Sequence, residues 1–185
     1  MTRRLLDKFL DHGIYRALRH REYRLLCYAQ TSSSMGGWMD EVARGWLIYL
    51  LTDSMAQLGL VRGVQAIPFL FLAPIAGSVA DRFSRRNLLV LTQGLHALVF
   101  AITAWLIFTE DIRVWHVYVG SFVVGLVHVF QQPARGAMIS GTVPRESLTN
   151  AIGFNSLVFN IARTTGPALA GAVIVVIGMG GTYLL

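Results

Sequence analysis

Long apolar runs broken by short charged clusters dominate this chain. Charge-free windows cover Gly63–Ala80, Asn87–Thr109, Val114–Ala134, Ser147–Ala162 and Thr164–Leu185. Another, Leu25–Met39, resumes as Gly45–Thr52 after a charged cluster. A helix crosses a hydrocarbon core of about 30 Å with roughly 20 residues. The windows therefore predict five spans, near Leu25–Leu51, Leu58–Ala80, Leu88–Phe108, Val114–Phe130 and Leu148–Ile177. Gly178-Met179-Gly180-Gly181 reads as a turn, and a sixth span is expected to open at Thr182. Barrel strands would be shorter and would alternate apolar with polar residues. A continuous helix pairs its own backbone groups inside lipid, so the expected class is an all-α membrane protein.

Composition supports this division. Of the 185 residues, 54% are hydrophobic and 14% charged, against about 25% charged in an ordinary soluble domain. One cysteine, Cys27, excludes a disulfide framework. The net charge of +6 does not point to nucleic acid, because the basic residues flank apolar runs instead of forming one face. Residues 1–24 form a basic N-terminal segment, and residues 25–185 the helical bundle. With the N-terminus in the cytoplasm, twelve Lys and Arg fall in the inner segments and one, Arg113, in an outer loop. That asymmetry predicts a cytoplasmic N-terminus. The basic segment is open to two readings: an amphipathic helix on anionic headgroups, or a solvated tail.

Ionisable residues at membrane depth are costly and draw functional attention. Ser33, Gly37, Asp40 and Arg44 share one stripe of the first span; Gln30, Ser34, Gly37 and Glu41 share the next. This polar wedge is expected to face a cavity. Asp40 or Glu41 either carries a coupling proton or simply neutralises Arg44. In the fifth span Ser156, Asn160, Arg163 and Pro167 repeat the spacing. Arg163 is expected to face the cavity and pair with Asp40 or Glu41, with direct substrate contact as the rival reading. Arg62 is expected to snorkel to the outer interface. His96 and His128, each alone in an apolar span, are expected to hydrogen-bond to a neighbouring helix.

Two segments carry a resemblance. Gly77-Ser-Val-Ala-Asp81-Arg82-Phe-Ser-Arg85-Arg86, between spans two and three, resembles the loop motif of the major facilitator superfamily, with Ser84 in place of a glycine. Gly153, Ala162, Gly166, Pro167, Ala170 and Gly171 in span five resemble that superfamily's antiporter motif, with two glycines replaced by alanine. Met35–Leu47, Gln132–Arg135 and Val143–Asn150 resemble its siderophore and macrolide exporter branch, the enterobactin-exporter-like proteins.

The resemblance covers about residues 22–185. It implies a fold of two six-helix halves with substrate held between them near the membrane centre. This chain would supply most of the N-terminal half: five spans and the start of a sixth. It implies a bacterial inner-membrane exporter of a mid-sized organic molecule, a siderophore or drug, driven by proton antiport. Asp40, Glu41 and Arg44 are then coupling candidates; His128, Asn155, Asn160 and Arg163 cavity candidates; Gly77, Asp81, Arg82, Arg85, Arg86 and Arg135 the conformational latch. Gly77 would allow close helix packing, and Arg135 would partner Asp81. Many proton-coupled drug exporters carry an arginine inside span four, but Gly120–Gly125 has none, leaving Arg163 or Arg44 to stand in. The implied partners are the lipid bilayer, a small-molecule substrate and a C-terminal half, in the same longer chain or a separate one. No cofactor or metal is implied. The alternative is a non-transporting membrane interaction subunit. Hydrolase and phosphate-binding motifs are absent from the sequence, so no enzyme is expected.

Overall fold

The computed structural model describes residues 21–184, without the side chains of Arg21, Glu22 and Asp81. The two readings of the basic N-terminal segment therefore lie outside the described residues, as does the expected Asp81–Arg135 pairing. Five helices follow in order: α1 Arg21–Thr52, α2 Met55–Arg82, α3 Arg85–Phe108, α4 Val114–Thr142 and α5 Arg145–Thr182. At about 1.5 Å per residue each is longer than a hydrocarbon core is thick.

α2, α3, α4 and α5 are long and apolar enough to cross a membrane. α1 has the length, at 32 residues, but its serines, Gln30, Asp40, Glu41 and Arg44 dilute its apolar character. Its polar stripe is covered by other helices instead. Large apolar side chains such as Leu70, Phe71, Val90 and Val175 point outward from the bundle, a surface suited to lipid and unlike that of a soluble monomer.

α4 is the central helix. It packs most extensively on α2 and α3, and it also meets α1 and α5; α1 in turn lies along α5. Three glycines allow these crossings. At Gly125 a Cβ atom would collide with the Gln65 backbone carbonyl of α2. At Gly166 it would stand 2.6 Å from Trp38 Cβ of α1. At Gly120 it would stand 2.9 Å from Arg44 Nη1. The α5 face that meets α1 is a stripe of small residues, Ala162, Gly166 and Ala170, all buried. Gly77, expected to serve packing, has open space where its Cβ would be. Tyr23 ties the start of α1 to α5 by donating to the Ala151 carbonyl at 2.8 Å.

The bundle has a basic end, with the turns at residues 83–84 and 143–144, and an opposite end with the turns at 53–54 and 109–113. At the basic end Ser84 sits at the N-cap of α3, its hydroxyl accepting from the Asn87 amide at 3.3 Å. Its φ of −63° needs no glycine, and a serine there satisfies one of the helix's free amides. The departure from the loop motif thus has a local role. The expected turn at 178–181 is instead a kink. Gly178 takes φ 77°, and the helix resumes for one turn to Thr182. Only a glycine adopts that backbone without strain. α4 also runs past the expected end at Phe130, straight through Pro133.

Candidate functional site

The polar stripes of α1 divide between two environments. Asp40 and Arg44 are buried, and a two-pronged pair joins them: Arg44 Nη2 donates to Asp40 Oδ1 at 2.7 Å and Nε to Oδ2 at 3.3 Å. The pair is intrahelical, between residues four apart, so one helix turn sets its geometry. Arg44 reaches across to α4 at Gly120, inside the segment where the resemblance called for an arginine. A guanidinium thus lies against that stretch of α4, supplied by α1.

Glu41 lies one residue on, and helix rotation turns it to the other side of the stripe. There it meets Arg62 of α2. The guanidinium is 3.5 Å from Glu41 Oε1, donates to the Glu41 backbone carbonyl, and holds Gln65 Oε1 at 3.2 Å. Arg62 therefore turns inward and does not snorkel. A charge facing a carboxylate and two amide-type oxygens has no reason to seek the interface.

Glu41 and Arg62 stand on the wall of a cavity of about 490 Å³ between the middles of α1, α2, α4 and α5. Its polar wall also includes Ser33, Ser34, Gln65, His128, Gln131, Gln132 and Arg135, with Trp38, Phe69 and Phe159 as its aromatic wall. The volume falls in the range of small-molecule sites, about 300–1,000 Å³, and a few placed polar groups among apolar walls is their usual composition. Arg135 donates to Ser33 Oγ at 3.3 Å, joining α4 to α1 across the cavity.

Of the expected cavity residues, His128 lines the wall. Asn155 is half-buried on α5 and outside it. Asn160 is exposed, its amide donating to its own helix at Ser156 O, 2.8 Å. Arg163 does not pair with Asp40 or Glu41: both already have arginine partners, and Arg163 sits exposed with its guanidinium 5.7 Å from the Trp38 ring centroid. The reason is rotational. The inward face of α5 is the small-residue stripe, and Arg163 follows Ala162 by 100° of helix turn. Among the described residues, His96 and His128 have no hydrogen bond to a neighbouring helix. Their rings meet each other edge to face with centroids 5.3 Å apart.

At the basic end, Arg85 donates to the Ala137 carbonyl of α4 at 2.9 Å. Arg86 and Arg135 line a second cavity, of about 420 Å³, with Gln30, Gln93 and apolar residues of α1, α3 and α4. Arg82 is exposed. Arg85 and Arg86 are thus laid against α4, the helix that touches all the others. Among the described residues no group of histidine, cysteine and carboxylate ligands assembles for a metal.

Residues 13–185 match the transmembrane secretion effector family. The staphyloferrin A transporter of Staphylococcus aureus is 28% identical over 151 residues, which is 81% of this chain and 38% of that protein. The multidrug efflux pump Tap of Mycobacterium tuberculosis is 25% identical over 159 residues, 83% of this chain and 38% of the pump. The macrolide efflux protein A of Streptococcus pyogenes is 24% identical over 127 residues, covering 67% and 31%. The chain thus spans well under half the length of these relatives. No solved structure matches it.

Proposed function

The chain belongs to the transmembrane secretion effector family of the major facilitator superfamily, and from that premise we propose that the intact protein exports a mid-sized organic molecule through the α1–α2–α4–α5 cavity, driven by a proton gradient. The family is a transporter family, and the relatives are named for staphyloferrin A, for multiple drugs and for macrolides. The observation that carries the reading is the cavity itself: a pocket of about 490 Å³ with charged and amide groups set among apolar walls, at mid-depth in a bundle whose outer face is apolar. Intramembrane ionic groups that line such a space mark a substrate path.

The second half of the fold, in the same chain or another, supplies the opposite wall and the partner for rocking. The protein sits in a bacterial inner membrane with the basic end in the cytoplasm, where the positive-inside asymmetry puts it. Asp40, locked to Arg44, serves the structure of the half. Glu41 and Arg62 face the cargo. Arg85 and Arg86 grip α4, and Arg135 ties α4 to α1; with Gly77, Asp81 and Arg82 they form the conformational latch.

The test is accumulation. The full reading frame, expressed in a bacterial strain stripped of its own exporters, is expected to lower cellular radiolabelled erythromycin or staphyloferrin A, and an uncoupler is expected to restore it. Equal accumulation of both compounds with and without expression refutes export of these classes. Export that ignores the uncoupler refutes proton drive.

A further inference from the structure

Two histidines that the sequence leaves in separate spans meet inside the bundle. His128 of α4 lines the cavity, and His96 of α3 lies behind it. Phe100 packs on His96 at 4.6 Å between ring centroids. His96 is buried, and its Nε2 has no hydrogen-bond partner among the described residues. Buried polar atoms are nearly always partnered, so an orphan beside a second imidazole at a cavity wall calls for a reason. A merely structural histidine would spend both nitrogens on neighbouring helices.

The surroundings narrow the reason. α1 presents the Asp40 carboxylate and the Arg44 guanidinium to the pair, and α4 adds Arg135. Arg62 of α2 and Glu41 of α1 line the same cavity but are engaged with each other, and α2 otherwise offers the neutral Gln65. Beyond Phe100, the Tyr183 ring closes the far side, its centroid 5.9 Å away. The carboxylates have arginine partners; the imidazoles do not have carboxylate partners. Imidazole is also the side chain whose ordinary titration range brackets the pH on the two sides of an energised membrane. Two touching imidazoles, with arginines nearby, hold one proton far more readily than two.

Resting on the export reading, we infer that the His96–His128 pair is the proton-carrying site of this half of the transporter, taking up one proton per cycle. His128 takes the proton from hydronium in the cavity on the acidic side, an N–H bond forming as the hydronium's O–H bond breaks; on the cytoplasmic side that N–H bond breaks as a water oxygen takes the proton back. His96, its Nε2 without a hydrogen-bond partner among the described residues, is the positioning residue that steadies the imidazolium. The site takes a proton and no other ligand.

The full-length protein in nanodiscs, labelled with ¹⁵N-histidine, tests this directly. Long-range proton–nitrogen spectra across the pH range read each ring's protonation state, with His96→Gln and His128→Gln giving the assignments. The pair is expected to gain one proton, and removing either ring to move the other's midpoint by about one pH unit or more. Rings that never protonate, or that titrate unchanged without their neighbour, overturn the inference. In proteoliposomes with labelled erythromycin, both variants are expected to lose at least about ten-fold of the acceleration by an imposed pH gradient. For His96→Gln, whose ring lies behind the cavity wall, gradient-free counterflow should persist within about two-fold, which shows that this variant is folded; His128→Gln, on the wall itself, is checked for folding by its thermal melt. Gradient acceleration equal to the unaltered protein's sinks the pair as carrier and leaves export standing. Counterflow without any gradient acceleration in the unaltered protein sinks proton-driven export, while the spectra still report on the pair.

Discussion

Asp40 and Glu41 are neighbours on one helix, yet they belong to different regions. Asp40 lies against the sealed end of the bundle, beside the cluster of Ala43, Leu47, Ile48, Val61, Ala104, Val117 and Tyr183. Glu41 stands on a cavity wall, half-exposed, with its arginine on another helix. In the sealed region an ion pair is made within one helix and survives any sliding between helices. At the cavity the pair bridges two helices and changes whenever they move. An intrahelical pair suits a fixed part; an interhelical pair suits a moving one.

The largest test of this contrast is Arg44→Met. It strands a buried carboxylate and is expected to cost about 3–5 kcal/mol, read as a loss of folded protein in detergent thermal melts. Arg62→Met, at the half-exposed pair, is expected to cost at most about 1 kcal/mol in the same melts. Equal losses would erase the distinction between the two pairs. Next come the crossings. Gly166→Leu drives a side chain into Trp38 and is expected to cost about 1–3 kcal/mol or more, whereas Gly77→Ala, facing open space, should leave the melting temperature unchanged. A loss at Gly77 as large as at Gly166 would return it to the packing role expected from the loop motif.

Ser84→Ala is expected to cost about 1 kcal/mol through the lost N-cap of α3, and Ser84→Gly only a few tenths. Finally, with Cys27 replaced by serine, Glu41→Cys should react with a water-soluble maleimide while Asp40→Cys stays unlabelled. Equal labelling would place both positions on the same wall.

The helical spacing of α1 was readable from sequence, because polar residues in an apolar chain stand out and periodicity gives their relative phase. Ser33, Ser34, Gly37 and Glu41 do line the cavity. Periodicity does not say which phase faces inward, and α5 shows the failure. Asn160 and Arg163 attracted notice by polarity, but the silent stripe of Ala162, Gly166 and Ala170 decided the helix's orientation. Small residues at four-residue spacing were the available signal. Gln65 and Gln131 carry no charge and do not stand out among apolar neighbours, and Gln132 stands out only within Gln132–Arg135; their positions beside Arg62 and Pro133 are the signal that marks them as wall residues. The His96–His128 contact and the inward turn of Arg62 depend on how helices distant in sequence cross, which no local pattern encodes.

If the cavity carries cargo as proposed, the Gln65 carbonyl resting on Gly125 bears on the size it can take. At that point the cavity wall is backbone against backbone, so no side chain can be trimmed there to deepen it, and any larger residue in place of the glycine prises α2 from α4. On the proposed export reading, room for bulkier compounds is then to be sought in the side chains of the wall, Phe69 first, because Trp38 and Phe159 also hold α1 to α5 ring against ring.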